Sequence, residues 1–140
     1  AYVSFHQPAQ SNDRFAELNE GLAQLKQRQS TGLAFNTMNI GGYLMWHLTP
    51  SVHTFIDGRM IDEKKLVPYT HILWTTDHGK KLFDQSKFDW VIMSTRNQFT
   101  GEHYPLVSYL QAQRHWRVLF RTENWVIFEK TAQLNEVKSQ

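Results

Sequence analysis

The chain has 140 residues, 14% of them aromatic and none of them cysteine, with a formal net charge of +2. That length suits one domain, 1–140, which buries about two-thirds of its unfolded surface on folding. The composition excludes a disordered chain, and the missing cysteines exclude disulfides, thiolate metal sites and a cysteine nucleophile. Charge is not concentrated: "EKK" at 63–65 and "GKK" at 79–81 are short and read as solvated surface, so no nucleic-acid partner is expected. No apolar run approaches the length of about eighteen residues that a membrane span needs. The chain opens on "AYVSFHQPA" without an initiator Met, which leads us to expect a mature form or a piece of something longer.

Phe15, Leu18, Leu22 and Leu25 repeat at three- and four-residue spacing and predict an N-terminal helix over 13–28, capped by Ser11, Asn12 or Asp13. "GLAFN" predicts a buried strand at 32–36. Gly41 to Leu48 reads as a short helix stopped by Pro50, which disfavours helix in the residue before it. "VHTFID" is β-branched and aromatic and predicts a second strand at 52–57. Helical pieces follow at 69–75 and 78–86, with Asp77 as the expected cap between them. "DWVIMS" is the third strand, 89–94. Pro105 suits the first turn of a helix whose buried side holds Leu106, Val107, Tyr109 and Leu110. "WRVLFR" and "WVIFEK", separated by Thr122, Glu123 and Asn124, predict a hairpin of strands 116–121 and 125–130. The tail 131–140 is polar. Alternating helices and strands point to a layered α/β domain, Rossmann-like, with a mostly parallel sheet of about five strands and a C-terminal antiparallel hairpin.

In an open α/β sheet, ligands sit beyond the carboxyl ends of the strands. The first strand ends at Asn36 and the second at Asp57. As parallel neighbours they would gather Asn36, Asn39, Gly41, Gly42, Tyr43, Asp57 and Arg59 on one edge. Glycines at a helix start let an anion approach unpaired N–H groups, and Asn39 is placed to cap that helix. The same glycines serve equally for tight packing or a positive φ. Asp57 reads as a functional carboxylate or as the ion-pair partner of Arg59. The seven histidines form no metal signature, and no serine-nucleophile or P-loop pattern occurs. No cofactor and no metal are expected.

The segments "FNTMNIGGYLMWHL" and "FIDGRM" within 35–60, "FDWVIM" at 88–93 and "YLQAQRHWRVLFRTENWVIFEK" at 109–130 carry a resemblance. Together they resemble the soluble domain that follows the membrane helices in bacterial polytopic proteins of the GT-C glycosyltransferase type, relatives of protein mannosyltransferases and oligosaccharyltransferases. The resemblance covers roughly residues 30 to 130. Such proteins often place a Tyr soon after the DGR; here the next one is Tyr69. The resemblance implies an extracytoplasmic accessory domain on the periplasmic face of the inner membrane. Its implied partners are the membrane-embedded part of the same protein and a glycan or lipid-linked sugar. Catalytic acids in such enzymes usually lie on loops between membrane helices, and the chain offers no DxD pair. We therefore expect no sugar transfer by this chain alone, the parent protein being the glycosyltransferase. The alternative is a self-contained module that binds a small anion or nucleotide; a hydrolase using Asp57 is a third reading.

Overall fold

The computed structural model describes residues 3–56 and 63–131. Among the described residues, five helices and five strands follow in order: α1 (Val3–Gln27), β1 (Gly32–Asn36), α2 (Gly41–Leu48), β2 (Val52–Thr54), α3 (Glu63–Leu73), α4 (Asp77–Ser86), β3 (Trp90–Ser94), α5 (Pro105–Gln111), β4 (Trp116–Arg121) and β5 (Trp125–Lys130). A 3₁₀ turn, Met38–Ile40, leads into α2.

The strands form one sheet in the order β2-β1-β3-β5-β4. β1 pairs in parallel with β2 and with β3, while β5 runs antiparallel between β3 and β4. The sheet is thus mostly, not purely, parallel: four strands share a direction and β5 opposes them. The hairpin closes over Thr122, whose hydroxyl accepts from the N–H groups of Asn124 and Trp125.

Alternation along the strands divides the buried side chains into two apolar clusters, because successive strand residues point to opposite faces. Ala34, Ile92 and Ile127 join Leu18, Leu22 and Leu25 of α1 and Leu44 and Leu48 of α2. Phe35, Val91, Met93, Val126 and Phe128 join residues of α3, α4 and α5. Close approach of α1 to the sheet requires Gly21, where an added Cβ would lie 2.6 Å from Ile127 and Phe120. Gly32 opens β1 at φ 122°, a region that disfavours any Cβ, and Asp89 fills the space beside it. Opposite, Glu129 is buried between Arg28 at 2.9 Å and Arg117 at 2.5 Å, which ties the end of α1 to the sheet.

Several boundaries differ from the sequence expectation. α1 begins at Val3 rather than residue 13; the stripe of Phe15, Leu18, Leu22 and Leu25 that predicts the helix covers only its C-terminal part. α3 begins at Glu63, six residues before the expected 69, and carries Pro68 in its interior. The cap of α4 is Thr76, whose hydroxyl accepts from Gly79 N–H; Asp77 is the first helical residue instead. β2 ends at Thr54 rather than 57, for a reason given below; Asp57 and the polar tail beyond residue 131 lie outside the described residues.

Candidate functional site

β1 and β3 are parallel neighbours, and the chain leaves β1 toward α2 on one face of the sheet and β3 toward α5 on the other. A crevice beyond the carboxyl ends of the strands is the expected result at such a point.

On the β1–β2 side the edge is tied by Asn36, which is fully buried. Its Oδ1 accepts from Phe55 N–H at 2.8 Å and Ile56 N–H at 3.2 Å. Its Nδ2 donates to Ile56 O at 2.8 Å and Thr37 O at 2.9 Å. These bonds occupy the backbone of 55–56 and end β2 early.

On the β1–β3 side, Thr37 Oγ1 accepts from Ser94 N–H at 3.1 Å, and Asn39 Nδ2 donates to Ser94 Oγ at 3.2 Å. The chain then leaves β3 through Thr95, whose N–H and hydroxyl donate to Asn124 O and Glu123 O of the β4–β5 turn. Arg96 bridges to His103, and the tip between them is an ordered turn: Asn97 Oδ1 accepts from Phe99 N–H at 2.8 Å and Thr100 N–H at 3.1 Å. Gly101 has φ 76° and open space where a Cβ would stand. Phe99 rides on this tip at 88% exposure.

Arg96 defines the chemistry here. Its Nη2 donates to Glu123 Oε1 at 3.2 Å, and its Nε is buried without a hydrogen-bond partner among the described residues. A buried donor in that state costs about 1–3 kcal/mol. A cleft of about 390 Å³ runs past Asn39, Arg96, Asn97, Glu123 and Trp125. A smaller space of about 150 Å³ adjoins it, walled by Met38, Tyr69, Phe99 and Tyr104. Asn39, Ser94, Arg96, Asn97 and Gln98 border both. Burial pushes the Tyr69 phenol up to about 12, although it accepts from Met38 N–H at 2.9 Å. Burial also raises Tyr104, opposed by a hydrogen bond with Asn97.

Among the residues singled out in the sequence, Asn39 lies in this cleft. Asn39 does not cap α2: the cap position is Ile40, and it makes no side-chain capping bond. Gly41 is buried at φ −55°, and its N–H donates to Met38 O, so no left-handed conformation is used there. Gly41 and Gly42 form the first turn of α2 and do not line the cleft. Tyr43 turns toward α1, where its ring stacks on Phe15 at 4.4 Å and its hydroxyl donates to Asn19 Oδ1; burial raises its pKa. Asp57 and Arg59 lie outside the described residues. Sequence reasoning missed Arg96, Asn97, Phe99 and Glu123. The signal was available in "RNQFTG" at 96–101, a polar turn around one aromatic just past the third strand.

A larger cavity, about 540 Å³, lies at the opposite edge, between Lys26 and Ser30 near the end of α1 and His47 to Val52 after α2. There Lys26 Nζ and His47 Nδ1 meet at 3.3 Å, and burial, with the lysine charge, lowers the His47 pKa. Among the described residues no group of His, Asp and Glu is arranged to hold a metal ion, and no helix is long and apolar enough to cross a membrane.

The sequence matches no protein-family model, and no curated protein matches it. Among solved structures, the chain is similar to the C-terminal globular domain of the oligosaccharyltransferase AfAglB-S2 from Archaeoglobus fulgidus. The TM-score is 0.57 at 11% identity, covering 81% of this chain and 96% of that one. The likeness is one of fold. It is of the kind that the segments at 35–60, 88–93 and 109–130 implied, an oligosaccharyltransferase being among the relatives they resemble.

Proposed function

We propose that this chain is an accessory domain of a membrane glycosyltransferase-like protein of the GT-C type, of layered Rossmann-like architecture. It stands on the extracytoplasmic, periplasmic face and helps to hold the acceptor or the lipid-linked sugar donor. The observation that carries this reading is the fold likeness to an oligosaccharyltransferase C-terminal domain over 96% of that domain's length. The cleft beyond β1 and β3 supports it, since it lies where open α/β sheets bind ligands. Of the residues proposed from the sequence, Asn39 joins the cleft directly. Gly41, Gly42 and Tyr43 support it through α2. Asp57 and Arg59 enter the proposal on their place after the second strand in the sequence. The membrane-embedded part of the same protein is the implied partner.

The reading as a self-contained anion or nucleotide module has less support. Gly41 N–H is already bonded to Met38 O, and Arg96 is already paired with Glu123. The test is made in the parent protein. Sugar transfer to acceptor is measured in membranes carrying the intact protein or one lacking residues 1–140, with the membrane part shown to be inserted in both. Loss of transfer on removing the domain is expected. Undiminished transfer, or a parent sequence without apolar runs of membrane-spanning length, overturns the proposal.

A further inference from the structure

The ligand class can be narrowed from the cleft itself. Among the described residues that line its two parts, Arg96 and Glu123 are the charged ones, and they face each other at 3.2 Å, so their charges offset one another. A site for phosphate or carboxylate would instead carry surplus positive charge. The other polar groups there are uncharged: the carboxamides of Asn39, Asn97, Gln98 and Asn124, the Ser94 hydroxyl and the phenols of Tyr69 and Tyr104.

Two features call for an occupant of particular shape. Arg96 Nε is buried and has no acceptor among the described residues; a small turn of the guanidinium toward the cleft that Arg96 lines would let a ligand oxygen satisfy it. Beside it stands Phe99, at 88% exposure, on a tip fixed by the two Asn97 bonds and by the Arg96–His103 bridge. Because the backbone of the tip is already held, packing on the ring costs little further ordering of the loop. The occupant therefore needs hydroxyl or ether oxygens around its rim, an apolar C–H face and no net charge. A pyranose ring has all three, and the cleft of about 390 Å³, together with the adjoining space of about 150 Å³ that Phe99 lines, is of the size that encloses small ligands.

We propose that this cleft binds a neutral saccharide, with Arg96 Nε–H donating to a sugar oxygen and Phe99 lying against the apolar face of the ring. The proposal rests on the accessory-domain reading and deepens it: the domain would recognise the uncharged sugar and not a phosphate.

The test is an amide and guanidinium NMR titration of the 140-residue chain. Methyl α-glucoside, methyl α-mannoside and N-acetylglucosamine are added separately to about 20 mM, well above a dissociation constant of about 1 mM. Inorganic phosphate is added in parallel. At least one sugar is expected to move the resonances of Arg96 Nε–H, Phe99, Gly101 and Trp125. Arg96→Lys keeps the charge but lacks the Nε–H, and should weaken binding about tenfold. Phe99→Ala, at an exposed position, should weaken it about threefold to tenfold with the melting temperature unchanged. Shifts in the cleft from phosphate alone, sugar shifts confined to other surfaces, or no shifts at all overturn the proposal. So does a Phe99→Ala chain that folds and binds as before. These outcomes are distinct from failure of the accessory reading, which is decided by transfer in the parent protein. A sugar-binding domain whose removal leaves transfer intact would sink that reading and leave the cleft assignment standing.

Discussion

Asn36, at the end of β1, and Arg96, two residues past the end of β3, mark the two halves of one sheet edge, and they treat their polar groups in opposite ways. Asn36 is fully buried and makes four hydrogen bonds, so both ends of its carboxamide are satisfied within the protein. Arg96 gives one bond to Glu123 and keeps a second, buried donor unpaired. Satisfied buried polar groups specify a structure, while an unsatisfied one is a standing cost that a fold rarely keeps without use. The difference separates a residue that builds the edge from one that serves it, and mutation can break or sharpen that distinction.

The largest effect is expected at Asn36. Asn36→Ala would strip acceptors from the N–H groups of Phe55 and Ile56 and a donor from Ile56 O, all at a buried position. At about 1 kcal/mol or more for each stranded group, unfolding free energy should fall by about 3 kcal/mol in urea denaturation. A loss below about 1 kcal/mol would mean that the loop re-pairs with water, and that Asn36 is not the builder claimed here.

Tyr69 comes next and is read through pH. Its ordinary pKa of 10.0 is raised to about 12 by burial, so the folded state holds the proton longer than the unfolded state. The stabilisation is complete below pH 10 and is lost as pH rises through about 12; the unfolded chain ionises first and pulls the equilibrium toward itself. A rise of that size predicts a loss of about 2–3 kcal/mol across that window. Tyr69→Phe lacks the slope. It also leaves Met38 N–H without its acceptor and should be about 1 kcal/mol less stable at neutral pH. Paired urea titrations of the two chains should therefore converge, then cross, as pH rises above 10. Parallel curves would show that Tyr69 ionises as readily in the fold as in the unfolded chain.

The contrast also explains what could be read from the sequence. The hairpin of β4 and β5, with its turn at Thr122–Asn124, is a local pattern and was legible, as was α2 up to Leu48. The end of β2 was not, because the group that halts it is the side chain of Asn36, about twenty positions earlier in the chain. The start of α1 was hidden because the regular three- and four-residue spacing of Phe15, Leu18, Leu22 and Leu25 covers only its C-terminal part. In the site, Asn39 followed from the rule about carboxyl ends. Pairing Arg96 with Glu123 required the strand order, since only the insertion of β5 beside β3 brings the β4–β5 turn to the end of β3. Asp57 and Arg59 were chosen by sequence proximity to the same edge and lie outside the described residues.

A smaller effect is expected at Thr76, which resembles Asn36 in having its role satisfied within the protein. Its hydroxyl accepts from Gly79 N–H at 2.9 Å and also meets His71 Nδ1 at 2.8 Å. Thr76→Ala should cost about 1 kcal/mol, the usual loss for a helix cap, with thermal denaturation as the measure. Thr76→Ser should restore most of it. If serine fails to rescue, the threonine methyl group rather than the cap is what matters.

The smallest expected effect is the most informative. Arg96→Met keeps most of the side-chain length and removes both the unpaired Nε and the bond to Glu123. That carboxylate is 78% exposed, so water replaces the guanidinium and little is lost from the ion pair. Against this small loss stands relief of the buried donor. Unfolding free energy should stay within about 0.5 kcal/mol of the parent chain or rise. Sugar binding at the cleft should nevertheless weaken by about tenfold or more, because the donor proposed to meet the ligand is gone. Stability unchanged with binding weakened would set Arg96 apart from Asn36 in the direction argued. A stability loss approaching that of Asn36→Ala would place both residues in the same class, as builders of the edge, and would remove the reason for regarding the unpaired Nε as an invitation to a ligand.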